Sequence, residues 1–391
     1  MQMSLLENIT HTNCAEYVWI GSRGELRSKT KVIYRNYRQG EAHPMVLNKI
    51  IDFPIWNFDG SSTNQATGED SEVILKPCAI FDDPFRGETR IYGHSHKLIL
   101  CDTYYPDEIR PLDSNKRVWA DNIFNKKLDE EPWFGLEQEY FIFDLPNGDT
   151  DWHKHRPLGF PSSRAKHYKL ATGKQGQYYC GTGTQNAFGR ELAEEHLQAC
   201  IKAGIKISGI NAEVAPGQWE FQIGPCTGID AGDHLWMARY LLNRVAERHN
   251  KLINYHPKPI PRTALYGEIP YDWNGSGCHT NYSTKKMRTK DVKCPKAGLG
   301  YINEAILKLS KKHKEHMPVY GTGNEKRMTG DCETASYDTF SDGVADRSAS
   351  IRRGNKTVSD GYGYFEDRRP SSNCDPYLVT AKIFETTVLS E

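Results

Sequence analysis

The stretch EPWFGLEQEYFIFDL, residues 131–145, indicates how the central part of the chain folds. Aromatic and β-branched residues flank its glutamates, which is typical of a buried β-strand. Glu137 and Glu139 are two residues apart, so both side chains project from the same face of such a strand. Burying two neighbouring carboxylates is unfavourable unless a cation or an arginine compensates their charge. On this segment alone, a pair that faces solvent is an equally good interpretation.

A second segment, INAEVAPGQWEFQIGP (residues 210–225), repeats the combination of apolar residues and glutamates. A hairpin turn centred on Pro216 and Gly217 predicts that Glu213 lies opposite Glu220. Like charges at directly opposite positions are destabilising, and a shared divalent cation would remove the repulsion. Pro-Gly is not a preferred residue pair for a hairpin turn, so other registers stay open.

Two later segments add candidate ligands. DWNGSGCHTNYS (272–283) carries His279 after a glycine-rich run, and GYFEDRRP (363–370) carries Glu366. Taken alone, a histidine such as His279 is more often part of a core. Several carboxylates together with one imidazole are typical of a Mg²⁺ or Mn²⁺ site rather than of a zinc or copper site.

Several arginines accompany the candidate cation ligands in the sequence. Arg347 and Arg352 lie in DRSASIRRG (346–354), and Arg327 lies in GNEKRMTG (323–330). Guanidinium groups bind phosphates and carboxylates through two parallel hydrogen bonds. Cations and arginines around one pocket suit phosphoryl transfer, whose transition state spreads charge over several oxygens. The sequence has no P-loop, kinase or dinucleotide-binding motif, so a nucleotide site here is of another type.

Composition narrows the classes of protein. The 391 residues, 38% of them hydrophobic, indicate a globular chain with two or three domains or one large one. Lys+Arg and Asp+Glu number 50 each, which gives no support for a nucleic-acid partner or an anionic membrane. The ten cysteines form no C-x-x-C pair, and no secretory signal or transmembrane span is recognisable. We therefore expect a cytoplasmic protein with free thiols and with neither nucleic acid nor membrane as a partner.

The pattern along the chain predicts a strand-rich first part and a larger mixed second part. Strands are expected within residues 17–33 and 96–105, and helices within 189–204, 230–253 and 301–317. The predicted boundaries are an N-terminal arm at 1–15, a first domain at 16–110 and a second domain at 111–391. Residues 144–177 are rich in Gly, Pro, Ser and basic residues, which predicts a surface excursion.

Six motifs resemble glutamine synthetases of the eukaryotic type, and they follow one another over almost the whole chain. They are WNFDGSST (56–63), WFGLEQEY (133–140), GINAEVAPGQWEFQIGP (209–225), WNGSGCHTNYS (273–283), VADRSASIR (344–352) and GYFEDRRPSSNCDPY (363–377). The resemblance implies an α+β fold, with an N-terminal β-grasp domain and a catalytic domain whose curved antiparallel sheet is flanked by helices. It also implies a homo-oligomer with active sites between adjacent subunits. The expected assembly is a decamer of two pentameric rings.

The resemblance also assigns the site residues. Two or three Mg²⁺ or Mn²⁺ ions are expected, one held by Glu137, His279 and Glu366 and a second by Glu139, Glu213 and Glu220. The expected ATP-binding residues are Glu137, Glu220, Phe221, Gln222, Ile223, Gly224, Pro225, Asn281, Ser283, Arg347, Arg352 and Tyr364. The expected glutamate-binding residues are Asn274, Gly275, Arg327, Arg347 and Arg368.

The activity implied by the resemblance is ATP-dependent ligation of ammonia to glutamate through γ-glutamyl phosphate. Catalytic roles fall to Arg347 and Arg368, to Asp59 of a neighbouring subunit as the acceptor of an ammonium proton, and to Glu333 on a closing flap. The chain departs from the family at Cys332, where His is common, and at Asp346, where Asn is usual.

Two alternatives stay open at this point. One is a ligase that joins another amine, such as methylamine or a polyamine, to glutamate. The other is an inactive structural relative. The second predicts lost metal ligands, whereas all six positions of this sequence carry an acid or a histidine.

Overall fold

The structure is a computed structural model of a single chain, and it describes residues 8–38, 47–87, 96–144, 157–160, 176–259, 273–331 and 334–390. The chain divides into two compact units. One comprises Met1–Trp119 and Ala199–Ile205, and the other comprises Ala120–Gln198 and Lys206–Glu391. The predicted excursion at 144–177 lies mostly outside the described residues.

The first unit contains a five-stranded sheet. Its strands are β1 (Asn8–Ile20), β2 (Leu26–Arg38), β3 (Trp56–Asp59), β4 (Glu72–Asp82) and β5 (Lys97–Tyr104), in the order β2-β1-β5-β4-β3. β1 and β5 are parallel, and the other neighbours are antiparallel. The strands predicted within 17–33 and 96–105 are confirmed.

Alternating residues of β1 build the core of this sheet. Ala15, Tyr17 and Trp19 are buried together with residues of β4 and β5, as the two-residue period of a strand requires. The Trp19 and Phe58 rings pack together, with 4.5 Å between their centroids. This contact anchors β3, which ends at the predicted catalytic residue Asp59.

The second unit contains an eight-stranded sheet. Its strands are β6 (Trp133–Asp144), β7 (Ile207–Ala212), β8 (Gln218–Thr227), β9 (Lys251–Asn254), β10 (Cys278–Ser283), β11 (Asp342–Val344), β12 (Ile351–Arg353) and β13 (Phe365–Asp367). The order is β11-β12-β13-β10-β6-β8-β7, and β9 also pairs with β6. Every pairing is antiparallel except that of β11 with β12.

The described helices are α1 (Lys116–Phe124), α2 (Arg190–Lys202), α3 (Asp230–Arg248), α4 (Lys285–Arg288), α5 (Ala297–Lys311), α6 (His313–His316), α7 (Asn355–Asp360) and α8 (Pro376–Phe384). The predicted helix at 189–204 corresponds to α2. The helix predicted at 230–253 corresponds to α3 but is too long, because α3 ends at Arg248 and residues 251–253 belong to β9. The helix predicted at 301–317 is wrong in its limits, because α5 begins at Ala297 and a separate short α6 follows it. The α+β class is confirmed.

The two faces of β6 have different surroundings. Leu136, Gln138 and Tyr140 are buried on one face, where Trp219 and Phe221 of β8 lie opposite residues 140 and 138. Helix α3 packs against β8 and β9. The opposite face carries the glutamates of β6 and is therefore available for a site.

The predicted register of the hairpin between β7 and β8 is wrong. Ala212 pairs with Trp219 and Asn211 pairs with Glu220, whereas Glu213 lies just beyond β7. The connection therefore extends over residues 213–217, with Gly217 in the left-handed region at φ +67°. A longer turn than the one expected for Pro-Gly places Glu213 at the edge of the sheet.

None of the described helices combines the length and the apolar character that a membrane crossing requires.

Candidate active site

Strand β6 is the axis of the site. Glu137 lies opposite His279 of β10 on one side and Gln222 of β8 on the other, while Glu139 lies opposite Glu220 of β8. Directly opposite residues share a face of the sheet. The prediction that Glu137 and Glu139 share a face is thus confirmed, and the direct acidic pair across the sheet is Glu139 with Glu220 rather than Glu213 with Glu220.

The next strands extend the same face. Asn281 of β10 lies opposite Glu366 of β13, and Glu366 lies opposite Arg352 of β12. An amide, a carboxylate and a guanidinium therefore follow one another across three strands. Asn281 and Glu366 become neighbours in this way although they are 85 positions apart in the sequence.

These side chains surround one cavity of about 370 Å³. Its charged and imidazole lining consists of Glu137, Glu139, Glu213, Glu220, Glu366, Arg327, Arg347, Arg352, Arg368 and His279. Its neutral lining consists of Tyr179, Asn211, Val214, Gln222, Asn274, Gly275 and Thr334. A pocket with several carboxylates beside several guanidinium groups is suited to cations and to anionic ligands together.

A first cluster of cation-binding type consists of Glu137, His279 and Glu366. One potential ligand atom from each lies within 4.8 Å of the others. His279 Nδ1 is 3.4 Å from Glu137 Oε2 and 3.6 Å from Glu366 Oε1. Two carboxylates and one imidazole converging at these distances form a donor set that fits a divalent cation.

The electrostatics of this cluster support that interpretation. Burial, and then the nearby Arg368 guanidinium, lower the pKa of His279 well below its ordinary value. Its ring is therefore neutral at physiological pH, which is the form that ligates metals. Burial raises the pKa of Glu137, although a hydrogen bond from Asn281 and nearby arginines oppose the change.

A second cluster consists of Glu139, Glu213 and Glu220. Burial and the neighbouring Glu213 raise the pKa of Glu139 to about 8, and burial and Glu220 raise the pKa of Glu213 to about 8. Burial, with Glu137 and Glu139 close by, raises the pKa of Glu220 as well. Carboxyl groups that repel one another in this way are stabilised when a cation lies among them.

Neutral amides hold several of these carboxylates. Asn281 Nδ2 donates to Glu137 Oε1 at 2.7 Å, and Asn211 Nδ2 donates to Glu213 Oε1 at 3.0 Å. Gln222 Nε2 donates to Asn211 Oδ1 at 2.6 Å and also to Glu220. The sequence reasoning missed Asn211. Its spacing of two residues from Glu213 was the only signal for it.

Arginines line the same cavity, and two of them contact the first cluster. Arg368 NH1 donates to Glu366 Oε1 at 2.6 Å, and Arg352 NH1 donates to Glu366 Oε2 at 3.0 Å. Arg327 is buried, and its NH2 donates to the carbonyl of Arg369 at 2.7 Å. Burial lowers the pKa of Arg327 to about 10, so its guanidinium stays charged at neutral pH.

A tight loop at Asn274–Gly277 completes the pocket. A Cβ atom on Gly275 would lie 2.2 Å from the carbonyl oxygen of Pro257 and 2.5 Å from Cγ of Arg327. Only glycine fits between these two neighbours. The loop backbone can therefore approach Arg327 closely.

Comparison with known proteins agrees with this geometry. Residues 116–389 match the family model described as glutamine synthetase, catalytic domain. The chain is 50% identical over 377 residues to a glutamine synthetase of Agaricus bisporus, covering 96% of this chain and 94% of that protein. It is also 50% identical over 388 residues to a glutamine synthetase nodule isozyme of Lupinus luteus, covering 98% of this chain and 97% of that protein.

The chain belongs to the glutamine synthetase family.

The remaining residues that the glutamine synthetase resemblance predicts are placed as follows. Phe221 and Ile223 are buried on the opposite face of β8, so their side chains do not line the cavity. Gly224 and Pro225 follow on the same strand. Ser283 is buried at the end of β10, and Tyr364 is exposed just before β13.

Of the two departures from the glutamine synthetase pattern, the structure describes the one at Asp346. Asp346 Oδ1 accepts hydrogen bonds from the backbone N–H of Ser348 at 2.8 Å and from its hydroxyl at 2.7 Å. The amide oxygen of an asparagine could accept the same bonds. Cys332 and the predicted flap residue Glu333 lie outside the described residues.

Asp59 lies in the first unit and is not among the residues that line the cavity. Its carboxylate accepts hydrogen bonds from the Ser61 hydroxyl at 2.7 Å, the Ser62 hydroxyl at 2.9 Å and the Ser61 N–H at 3.0 Å. The bonds from the Ser61 and Ser62 hydroxyls lower the pKa of Asp59. Asp59 is thus a preoriented, ionised carboxylate.

Proposed function

We propose that this cavity is the active site at which the chain joins ammonia to glutamate. The observation that carries the proposal is the convergence of Glu137, His279 and Glu366 in the same cavity as three further glutamates and four arginines. The family requires ATP and divalent cations. Glutamate, ammonia and ATP are accordingly the substrates.

The cation sites would be formed by the two acidic clusters. The first cluster combines carboxylate oxygens with an imidazole nitrogen, and the second offers carboxylate oxygens only. This donor chemistry favours Mg²⁺ or Mn²⁺. When bound, such cations neutralise the phosphate oxygens and orient the transferring phosphoryl group.

Arginines and the glycine loop would position the substrates. Arg347 and Arg352, with Asn281, Ser283, Tyr364 and β8 from Glu220 to Pro225, would bind ATP. Arg327, Arg368 and the loop at Asn274 and Gly275 would hold glutamate. The buried setting of Arg327 supports this role, because a guanidinium in low dielectric binds a carboxylate strongly.

The reaction then proceeds in two balanced steps. A side-chain carboxylate oxygen of glutamate attacks the γ-phosphorus of ATP, and the bond between that phosphorus and ADP breaks. Ammonia next attacks the resulting acyl phosphate carbon, and phosphate leaves with the bonding electrons. Activation is needed because a bare carboxylate has no leaving group.

Asp59 of a neighbouring subunit would accept a proton from ammonium, and Glu333 would close over the intermediate and exclude water. These roles require a homo-oligomer, which we propose to be a decamer of two pentameric rings. They come from the family resemblance, whereas the cytoplasmic location is proposed from the scattered free thiols. The ionised state of Asp59 supports its part, because an anion attracts ammonium.

The decisive test follows oxygen atoms. Glutamate labelled with ¹⁸O in its side-chain carboxylate is supplied with ATP, ammonium and Mg²⁺. One ¹⁸O atom should appear in inorganic phosphate for each glutamine formed, since the attacking oxygen leaves with phosphorus. Unlabelled phosphate together with glutamine would show that no γ-glutamyl phosphate forms.

The matched variant Glu366→Gln keeps the shape of the side chain and removes its charge. It should fold and lose glutamine formation by at least about a hundredfold, since it removes a cation ligand. Replacing ammonium with methylamine or putrescine tests the amine. A higher kcat/KM with either alkylamine would show that ammonia is not the natural substrate.

A further inference from the structure

Gln218 is a buried amide that no role described so far requires. It begins β8, and its side chain is 1% exposed. Its Nε2 donates to Glu139 Oε2 at 3.1 Å and to the carbonyl oxygen of Gly275 at 3.1 Å. Its Oε1 accepts a hydrogen bond from the backbone N–H of Ala215 at 3.2 Å. Both amide hydrogens and the amide oxygen are therefore used.

The contact with Glu139 fixes one particular oxygen of that carboxylate. Glu139 Oε2 accepts a second hydrogen bond, from the backbone N–H of Gly277 at 2.9 Å. Both donors reach the same oxygen. Among the described residues none donates to Oε1, which leaves this oxygen for a cation. Two donors on one oxygen hold the carboxylate in a single orientation.

The contact with Gly275 reaches the loop proposed to bind glutamate. Gly275 lies so close to the Pro257 carbonyl and the Arg327 side chain that a Cβ atom there would overlap both of them. The loop is tied to Glu139 at two points, through Gln218 at Gly275 and directly at Gly277. The Glu139 carboxylate and the loop therefore share one hydrogen-bond network.

Gln218 also closes the turn that carries another acidic residue of the second cluster. Its backbone N–H donates to the Ala215 carbonyl at 3.1 Å, and its carbonyl accepts from the N–H of Glu213 at 2.9 Å. One residue thus contacts the Glu139 side chain, the Glu213 backbone and the Gly275 carbonyl. Within the described part of the chain, the amides of Asn211 and Gln222 contact carboxylates but do not reach this loop.

We propose that Gln218 is a positioning residue that couples cation binding at Glu139 to glutamate binding at the Gly275 loop. The proposal rests on the proposed function, because it uses the cation and glutamate roles assigned there. Binding of either ligand fixes the Gln218 amide in the orientation that the other requires. Such a coupling is reciprocal, so glutamate raises cation affinity by the same factor by which the cation raises glutamate affinity.

The test measures Mn²⁺ affinity by calorimetry, with and without saturating L-glutamate, in the wild-type oligomer and in Gln218→Met. Methionine has a similar volume but no amide. The wild-type affinity should rise about fivefold or more with glutamate. In Gln218→Met the Mn²⁺ affinity should fall by about tenfold or more. The ratio of the Mn²⁺ affinity with glutamate to the Mn²⁺ affinity without it should fall to about one.

Gln222→Met is the matched control, because Gln222 lies on the same strand and holds Glu220 but does not contact the loop. Gln222→Met should weaken Mn²⁺ binding but keep the wild-type ratio of Mn²⁺ affinities with and without glutamate. If Gln218 had only a structural role, its replacement would lower the Mn²⁺ affinity equally with and without glutamate and leave their ratio unchanged. That result would overturn the proposal. Gln218→Asn replaces Gln218→Met if the latter does not fold. Its amide is one methylene too short to span both partners, so the same loss of coupling is expected.

The wild-type measurement separates this proposal from the proposed function. If Mn²⁺ does not bind, or if glutamate has no effect on its affinity in the wild-type protein, the assignment of the site itself is wrong. If the wild-type protein shows the coupling and Gln218→Met retains it, only the role of Gln218 is wrong.

Discussion

Burial and mutual repulsion perturb the carboxyl groups of Glu139 and Glu213. Each carboxyl has a pKa raised from 4.5 to about 8, first by burial and then by a neighbouring carboxylate. In the unfolded chain the same groups lose their protons near 4.5. A raised pKa therefore contributes stability that is fully present below about pH 4.5 and is lost as the pH rises through about 8. Each unit of pKa difference corresponds to about 1.4 kcal/mol.

We therefore predict a pH-dependent stability that a cation abolishes. Protein freed of metal with a chelator should show an unfolding midpoint that falls by on the order of several degrees between pH 6 and pH 9, because the carboxyls become charged without compensation. Adding Mg²⁺ should remove most of this fall. Thermal unfolding followed by calorimetry gives both curves.

Glu139→Gln is the control for this prediction. The variant removes one of the repelling charges, so its cation-free protein should depend less on pH than the wild-type protein does. A chelated wild-type protein that is as stable at pH 9 as at pH 6 would contradict the raised pKa values.

At the scale of single elements, periodic patterns could be predicted from the sequence. Leu235, Leu241 and Val245 follow a helical spacing, and all three are buried in α3. The two-residue period of β6 placed Glu137 and Glu139 on one face. Both predictions hold because they depend on residues close together in the chain.

The pairing between distant elements could not be predicted from spacing. His279 lies opposite Glu137 because β10 pairs with β6, and the two residues are more than 140 positions apart. The register of β7 and β8 was misjudged, because five residues rather than a tight Pro-Gly turn connect them. Only the family resemblance indicated that the two clusters meet, because motif identity carries the tertiary contacts that local patterns lack.

Behind the site, α3 is joined to the rear of β6 by a buried guanidinium. Arg239 NH2 donates to Gln138 Oε1 at 2.6 Å and to the Ser372 carbonyl at 2.9 Å, and its NH1 donates to the Cys374 carbonyl at 2.9 Å. No described carboxylate forms an ion pair with it. Gln138 lies between Glu137 and Glu139, so this contact supports the strand that carries both.

We predict that Arg239→Met lowers the free energy of unfolding by about 2–4 kcal/mol, because it leaves buried acceptors without donors. Arg239→Lys should recover only part of this loss, since an ammonium group cannot span three acceptors. Urea denaturation measures the change. Arg244→Met, in the same helix but more exposed, should change stability by at most about 0.5 kcal/mol. Equal effects of Arg239→Met and Arg244→Met would show that the buried network is not what joins α3 to the sheet.

At the scale of the whole molecule, the proposed reaction needs residues from both units. The cavity is lined by residues of the second unit, whereas Asp59 ends β3 in the first. The resemblance implies that Asp59 serves the site of an adjacent subunit. Activity would then be a property of the assembly, and two different inactive chains could complement each other.

Co-expression of Asp59→Asn with Glu366→Gln tests this arrangement. Either variant alone should form almost no glutamine, since one lacks the proton acceptor and the other a cation ligand. Asp59→Asn should still transfer the phosphoryl group, because its own cavity is intact. In randomly mixed rings, about one quarter of the adjacent pairs combine an intact Asp59 with an intact cavity, so about one quarter of the wild-type activity should return. Mixing the two purified variants without subunit exchange supplies the control and should restore nothing. Under the proposed arrangement, every ring that contains both variants has at least one adjacent pair with an intact Asp59 and an intact cavity. If co-assembled rings stay inactive, Asp59 therefore does not act across a subunit boundary.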